Sequence, residues 1–129
     1  MIKEQTKHTI LLEVIFNNIY NTLYINNIKT ITQEYLDMID HPIALAYWFM
    51  DDGCYEGILA TNGFTENEVD LLKLWLKEKW NIDTIKKAYK KYFTLKITKE
   101  SRPSFDKLIS PYIIPSMQYK LKYIFTLSV

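Results

Sequence analysis

From Ile43 to Met50 the chain carries no charged side chain, and the run then breaks abruptly into Asp51, Asp52 and Gly53. A helix this apolar around its whole circumference has to be covered on every side, by its own domain and by a partner. Its start is marked by Asp40-His41-Pro42, an Asx-type cap followed by a proline in the first turn, where the missing N–H costs nothing. Gly53 supplies the stop.

The remaining pattern divides into shorter elements. Thr65-Glu66-Asn67-Glu68 has capping-box spacing ahead of Val69, Leu72 and Leu76, which predicts a helix from about Glu66 to Lys79 with Trp75 and Trp80 in the core. Between Thr84 and Thr98 the period changes to two, with Phe93, Leu95 and Ile97 on one face and Tyr92, Thr94, Lys96 and Thr98 on the other. A partner strand over Ile85 to Tyr89 would join it through a turn near Lys90-Lys91. Ser101-Arg102-Pro103 opens a helix to about Ser110, and Pro111 to Leu121 forms a further helical piece. Cys54 to Thr61 fits a short strand. Upstream, Thr30 and Gln33 have capping-box spacing for a short helix to Asp40, Asn26-Asn27 reads as a turn, and residues 9–25 are apolar without a period that chooses helix or strand. The sum is an α+β chain, helices packed on a small antiparallel sheet, with residues 1–41 as an N-terminal connector and 42–129 as the domain. There is no internal repeat or low-complexity tract.

At 129 residues and 48% hydrophobic content the chain can build a real core, since chains of this size bury about two-thirds of their unfolded surface. The uncharged run from Ile43 to Met50 is far short of the roughly 20 residues that span a bilayer, and the N-terminus lacks a signal-peptide pattern, so a soluble protein is expected. One cysteine, Cys54, excludes an internal disulfide and a thiolate metal cluster. Lysine-, asparagine-, isoleucine- and tyrosine-rich composition suits an AT-rich gene, and hence an organellar, mitochondrial setting.

A net charge of +1 hides a strong asymmetry. Residues 1–72 hold 3 Lys/Arg against 11 Asp/Glu, whereas residues 73–129 hold 13 against 4. Lys86, Lys87, Lys90, Lys91, Lys96 and Lys99 all fall on the predicted β-ribbon. A two-stranded ribbon fits the major groove of a duplex, where these lysines would meet phosphates while Tyr92 or Thr94 reach base edges. Such a footprint gains affinity through counterion release and is strongly salt-dependent. The bland alternative is a solvated lysine face on a protein-interaction domain.

Asp51 and Asp52 sit at the negative end of the helix dipole, where two carboxylates call for a compensating cation. Hard oxygen donors of this kind suit Mg²⁺, with phosphate oxygens completing the shell.

The run Leu45-Ala46-Tyr47-Trp48-Phe49-Met50-Asp51-Asp52-Gly53 closely resembles the LAGLIDADG motif of homing endonucleases and intron maturases. Thr61-Asn62-Gly63-Phe64-Thr65-Glu66-Asn67-Glu68-Val69 is similar to that family's strand-to-helix passage, and Ile109 to Leu121 to its closing segment. Ile28 to Leu36 is similar to the connector before the second motif in two-motif members, so the chain resembles the C-terminal half of such a protein. The resemblance implies a LAGLIDADG half-domain whose strands form a nucleic-acid saddle. It further implies that Asp52 and the backbone carbonyl of Asp51 hold a metal, that Lys120 is the active-site lysine, and that Leu45, Ala46, Tyr47 and Phe49 meet a partner helix.

Two departures temper that expectation. The family's site needs two motif helices and this chain holds one, so a second copy or a complementary chain must supply the other. Only eight residues separate Gly53 from Asn62, where two strands of about five residues and a two-residue turn need about twelve. The expected function is therefore a non-cleaving, nucleic-acid-binding component of a ribonucleoprotein, maturase-like or an organellar ribosomal protein. The alternative is a Mg²⁺-dependent DNA endonuclease that works as a homodimer or with a separate half.

Overall fold

The computed structural model describes residues 24–25 and 28–124, with side chains from residue 30 onward. The apolar segment 9–23 and the Asn26-Asn27 turn lie outside the described residues. The chain forms two compact units, residues 1–39 and 40–129.

In the first unit, β1 (Tyr24–Ile25) pairs antiparallel with β2 (Ile28–Lys29), Ile25 opposite Ile28. α1 (Gln33–Asp37) follows. Its cap is Thr32, whose hydroxyl accepts from the Tyr35 N–H at 3.1 Å, and not Thr30. The helix starts later than the Thr30/Gln33 spacing suggests because Thr32 is the residue left in an extended conformation with its side chain over the first turn.

The second unit opens with α2 (Ile43–Asp52). Its N-cap is Pro42, with no side-chain cap; the first N–H of the helix, on Ile43, is taken by His41 Nδ1 at 3.1 Å instead of by Asp40. After a tight turn, β3 (Ile58–Ala60) runs into α3 (Glu66–Trp80), whose capping box is complete: Thr65 Oγ1 accepts from the Glu68 N–H and Glu68 accepts from the Thr65 N–H. β4 (Thr84–Tyr89) and β5 (Tyr92–Ile97) form the predicted hairpin, Tyr89 opposite Tyr92 across Lys90-Lys91. α4 (Arg102–Ile109) and two 3-10 segments, Ser110–Tyr112 and Pro115–Lys120, complete the unit.

The sheet is antiparallel in the order β3-β5-β4. Register assigns its faces, because partners directly across a ladder share one. Leu95 lies opposite both Leu59 and Lys86, and Ile97 opposite Thr84; this face packs on α3. Lys96 lies opposite Ile58 and Ile85, and Thr94 opposite Ala60 and Lys87; this is the outer face. The core joins Leu59, Leu95 and Ile97 of the sheet to Val69, Leu72 and Leu76 of α3. A second contact closes α2 on α4, where Phe49 and Phe105 meet edge to face at 5.5 Å, both fully buried. Each such ring contributes about 1.5–3 kcal/mol by its burial.

Candidate nucleic-acid interface and acidic helix end

Alternation along β4 and β5 splits the six ribbon lysines into different environments. Lys87 and Lys96 project from the outer face beside Tyr92 and Thr94, and with Lys99 and Lys122 they line a cleft of about 490 Å³. Lys90 and Lys91 occupy the exposed hairpin tip, Lys90 with φ 56° and its ammonium 5.5 Å from the Tyr89 ring. Lys86 belongs elsewhere. Its side chain projects from the α3 face, where Nζ lies 2.6 Å from Glu66 and 2.7 Å from Asp70, and 5.1 Å from the Phe93 ring. The hydrogen bonds it donates to Asp70 and Glu66 push its pKa above the ordinary lysine value. Lys86 is thus set on the face opposite Lys87 and Lys96, and Lys122, which the sequence pattern left unassigned, lines the cleft with them.

The motif helix is likewise sorted by its period. Leu45, Ala46 and Phe49 are fully buried, so of the expected partner residues Tyr47 is the one left exposed. The accessible stripe is Ala44, Tyr47, Trp48 and Asp51, the i, i+3, i+4, i+7 set on one side of α2. An uncharged helix proves to be two-sided because burial follows what packs against it and not its own amphipathicity.

At the C-terminal end of α2, Asp51 and Asp52 are both exposed. Lys120 arrives from the last 3-10 segment and donates from Nζ to the Met50 carbonyl at 2.6 Å. A cation there neutralises the negative helix terminus beside the two acids. The expected grouping of Asp51, Asp52 and Lys120 at one helix end therefore has a concrete geometry. Among the described residues no three His, Cys, Asp or Glu side chains converge as a metal cage. At this helix end the chain presents two exposed carboxylates, hard oxygen donors of the kind that suit a hydrated divalent cation.

Behind this end lies a buried pair that sequence reasoning missed. Arg102 and Asp106, 3% and 0% exposed, are bonded at 2.7 Å within α4. The signal was present: with Phe105 and Ile109 they occupy the i, i+3, i+4, i+7 stripe of α4, so both charges sit on the apolar face. Arg102 also donates to the carbonyls of Tyr55 (2.6 Å) and Lys120 (3.0 Å), and its guanidinium lies 5.4 Å from the Phe49 ring. Between Gly53 and β3 the chain makes one tight turn, closed by Gly57 N–H to Cys54 O at 2.8 Å. Gly57 has φ +84°, and a Cβ there would lie 2.9 Å from Arg102 Nη1, so both conformation and space demand glycine. Glu56, exposed in this turn, has its pKa lowered chiefly by a hydrogen bond from the Cys54 thiol.

Comparison with known proteins matches this geometry. A model of the LAGLIDADG DNA endonuclease family matches residues 3–105. The cytochrome b mRNA maturase bI2 of Saccharomyces cerevisiae is 45% identical over 118 residues, covering 82% of this chain and 28% of the maturase. Its namesake from Debaryomyces hansenii is 40% identical and 42% covered. The intron-encoded endonuclease ai4 of Dictyostelium discoideum is 41% identical over 115 residues, covering 82% of this chain and 70% of that protein. The solved structure of the homing endonuclease I-WcaI bound to its DNA recognition sequence aligns with a TM-score of 0.73 at 30% identity, over 85% of this chain and 53% of that one. The chain thus spans less than half of the two maturases and about half of the solved endonuclease.

Proposed function

Since the chain belongs to the LAGLIDADG DNA endonuclease family, we propose that it is a nucleic-acid-binding half-domain of the maturase type, acting on structured RNA in an organellar, mitochondrial setting. The observation that carries this reading is the outer sheet face, where Lys87, Lys96, Lys99 and Lys122 outnumber Glu56 and Glu100 around one cleft and Tyr92 and Thr94 stand between them and the hairpin tip. Cations at the cleft suit phosphates; Tyr92 and Thr94 supply hydrogen-bonding groups for base or sugar edges. The names of the two bI2 relatives, cytochrome b mRNA maturases, support RNA as the substrate class.

The exposed stripe of Ala44, Tyr47, Trp48 and Asp51 is proposed to receive a second LAGLIDADG helix from a complementary half. Domain organisation follows the same reading, residues 1–41 serving as the connector and 42–129 as the half-domain. With one motif helix and a turn in place of a full first hairpin, the chain by itself binds without cutting.

A second reading is favoured by one observation: Asp52 is exposed while Lys120 stands at the same helix end. On that reading a paired assembly hydrolyses DNA. Mg²⁺, when bound by Asp52 and the Asp51 carbonyl, would activate water and stabilise the leaving oxygen. The protein's own contribution is to present the carboxylate, hold a cation next to it through Lys120, and align the backbone on the outer sheet face.

The deciding experiment incubates the full chain, alone and in equimolar mixture with a complementary half, with intron RNA and with duplex DNA in Mg²⁺. Salt-sensitive RNA binding without cleavage supports the maturase-type reading. Nicking of duplex that disappears in Asp52→Asn replaces it with the endonuclease reading.

A further inference from the structure

We propose that Arg102 and Asp106 are positioning residues that set Lys120 against the end of the motif helix, an inference that rests on reading Lys120 as part of the site. The two side chains bracket that residue. Arg102 Nη2 holds the Lys120 carbonyl at 3.0 Å, while Asp106 Oδ2 accepts from the amides of Lys122 and Tyr123, each at 2.9 Å. The backbone is thereby gripped on both sides of Leu121, where the chain leaves its last 3-10 turn at Lys120 and belongs to neither helix nor strand from 121 to 123. With its main chain fixed, Lys120 reaches Met50 O at 2.6 Å.

The same guanidinium registers the other partner of the site. Through Nη1 it holds Tyr55 O, three residues beyond Asp52, and it lies over Phe49, three residues before it. One rigid group thus references both the acids and the lysine, across sequence separations of 47 and 18 residues. Arginine suits this task because its planar fork spreads donors over three nitrogens, one to each acceptor, whereas the three N–H groups of an ammonium radiate from a single nitrogen. A buried ion pair is a poor source of stability compared with apolar packing, so what this pair supplies is the geometry of the groups it holds.

The test labels surface amines of the full chain with an acylating reagent and reads Lys107, Lys120 and Lys122 by peptide mass spectrometry. Arg102→Lys keeps the charge but forfeits the three-way grip. Asp106→Asn keeps the shape, yet its single carbonyl oxygen can serve Arg102 or the 122–123 amides and not both. In each variant Lys120 is expected to label about fivefold faster, the weight of one ordinary hydrogen bond, with Lys107 unchanged. Wild-type labelling of Lys120 in both variants overturns the inference, and so does an equal rise at all three lysines, which marks general loosening. Hydrogen exchange on the wild type needs no variant: the Lys122 and Tyr123 amides should exchange about tenfold slower than unbonded amides. Free exchange there also overturns it.

Failure of the site reading looks different. If Lys120→Met leaves both Mn²⁺ broadening at Asp52 and nucleic-acid binding unaltered, Lys120 has no part in the site, whatever its labelling shows about position.

Discussion

Gly53 and Phe49 exclude any larger residue at the end of the motif helix. A Cβ on Gly53 would lie 2.7 Å from Phe49 Cε1 and 2.7 Å from the Phe49 carbonyl oxygen, and closer still to Cδ1. Phe49 cannot yield, being fully buried against Phe105. Gly53→Ala should therefore destabilise the domain by about 1–3 kcal/mol, the range for forcing atoms into a packed core. Urea unfolding measures it, and a loss below about 0.5 kcal/mol, typical of neutral surface changes, would contradict the steric account.

That glycine also marks how far the sequence could be read. Its place after Asp52 was legible, but its reason was not: Gly53 has φ −93°, an ordinary extended value, so space and not left-handed freedom selects it. Local signals carried well. The Thr65 capping box, the period-two hairpin and the acidic helix end all depend on residues within a few positions of one another. The setting of Lys86 was not legible in that way, because the acids that pair with it, Glu66 and Asp70, lie 20 and 16 residues away. The Arg102–Asp106 pair has the i,i+4 spacing of an ordinary surface bridge, and only its sharing of one stripe with Phe105 and Ile109 marks it as buried.

Reversing the outer-face lysines should separate binding from folding. Lys87→Glu and Lys96→Glu are each expected to weaken nucleic-acid binding and to reduce the salt slope by about one counterion per lost phosphate contact. Lys86→Gln should leave both unchanged while lowering thermal stability slightly. Fluorescence anisotropy across a salt series provides the measurement, and a Lys86 effect equal to that of Lys87 would refute the assignment of faces.

Acid should loosen the turn after the motif helix. Glu56 has a folded pKa below its ordinary 4.5, chiefly through the Cys54 thiol. A depressed carboxylate lends stability that is present above its unfolded value and is lost as pH falls through the folded one. The wild type should accordingly exceed Cys54→Ala in melting temperature near neutral pH, with the gap closing below pH 4.5. A gap that persists unchanged into acid would assign the effect to packing of the sulfur instead.

The exposed stripe of the motif helix makes a prediction about assembly. Tyr47→Glu places a charge where a second helix would approach and should abolish pairing while leaving the unit folded, since Tyr47 is 37% exposed. Sedimentation equilibrium with the wild type, its complementary half and the variant reads the outcome. Equal association of wild type and variant would move the partner surface elsewhere.

Lys90 stands at the tip of the hairpin with φ 56°, a conformation that costs a non-glycine residue on the order of 1 kcal/mol. Glycine or asparagine would turn the same corner with less strain, yet would leave the outermost point of the ribbon uncharged. The chain accepts a less comfortable bend to keep an ammonium at its furthest extension. If the outer sheet face binds a polyanion as proposed, first encounter should be weighted toward the tip, where an ammonium stands ahead of the lysines along the strands.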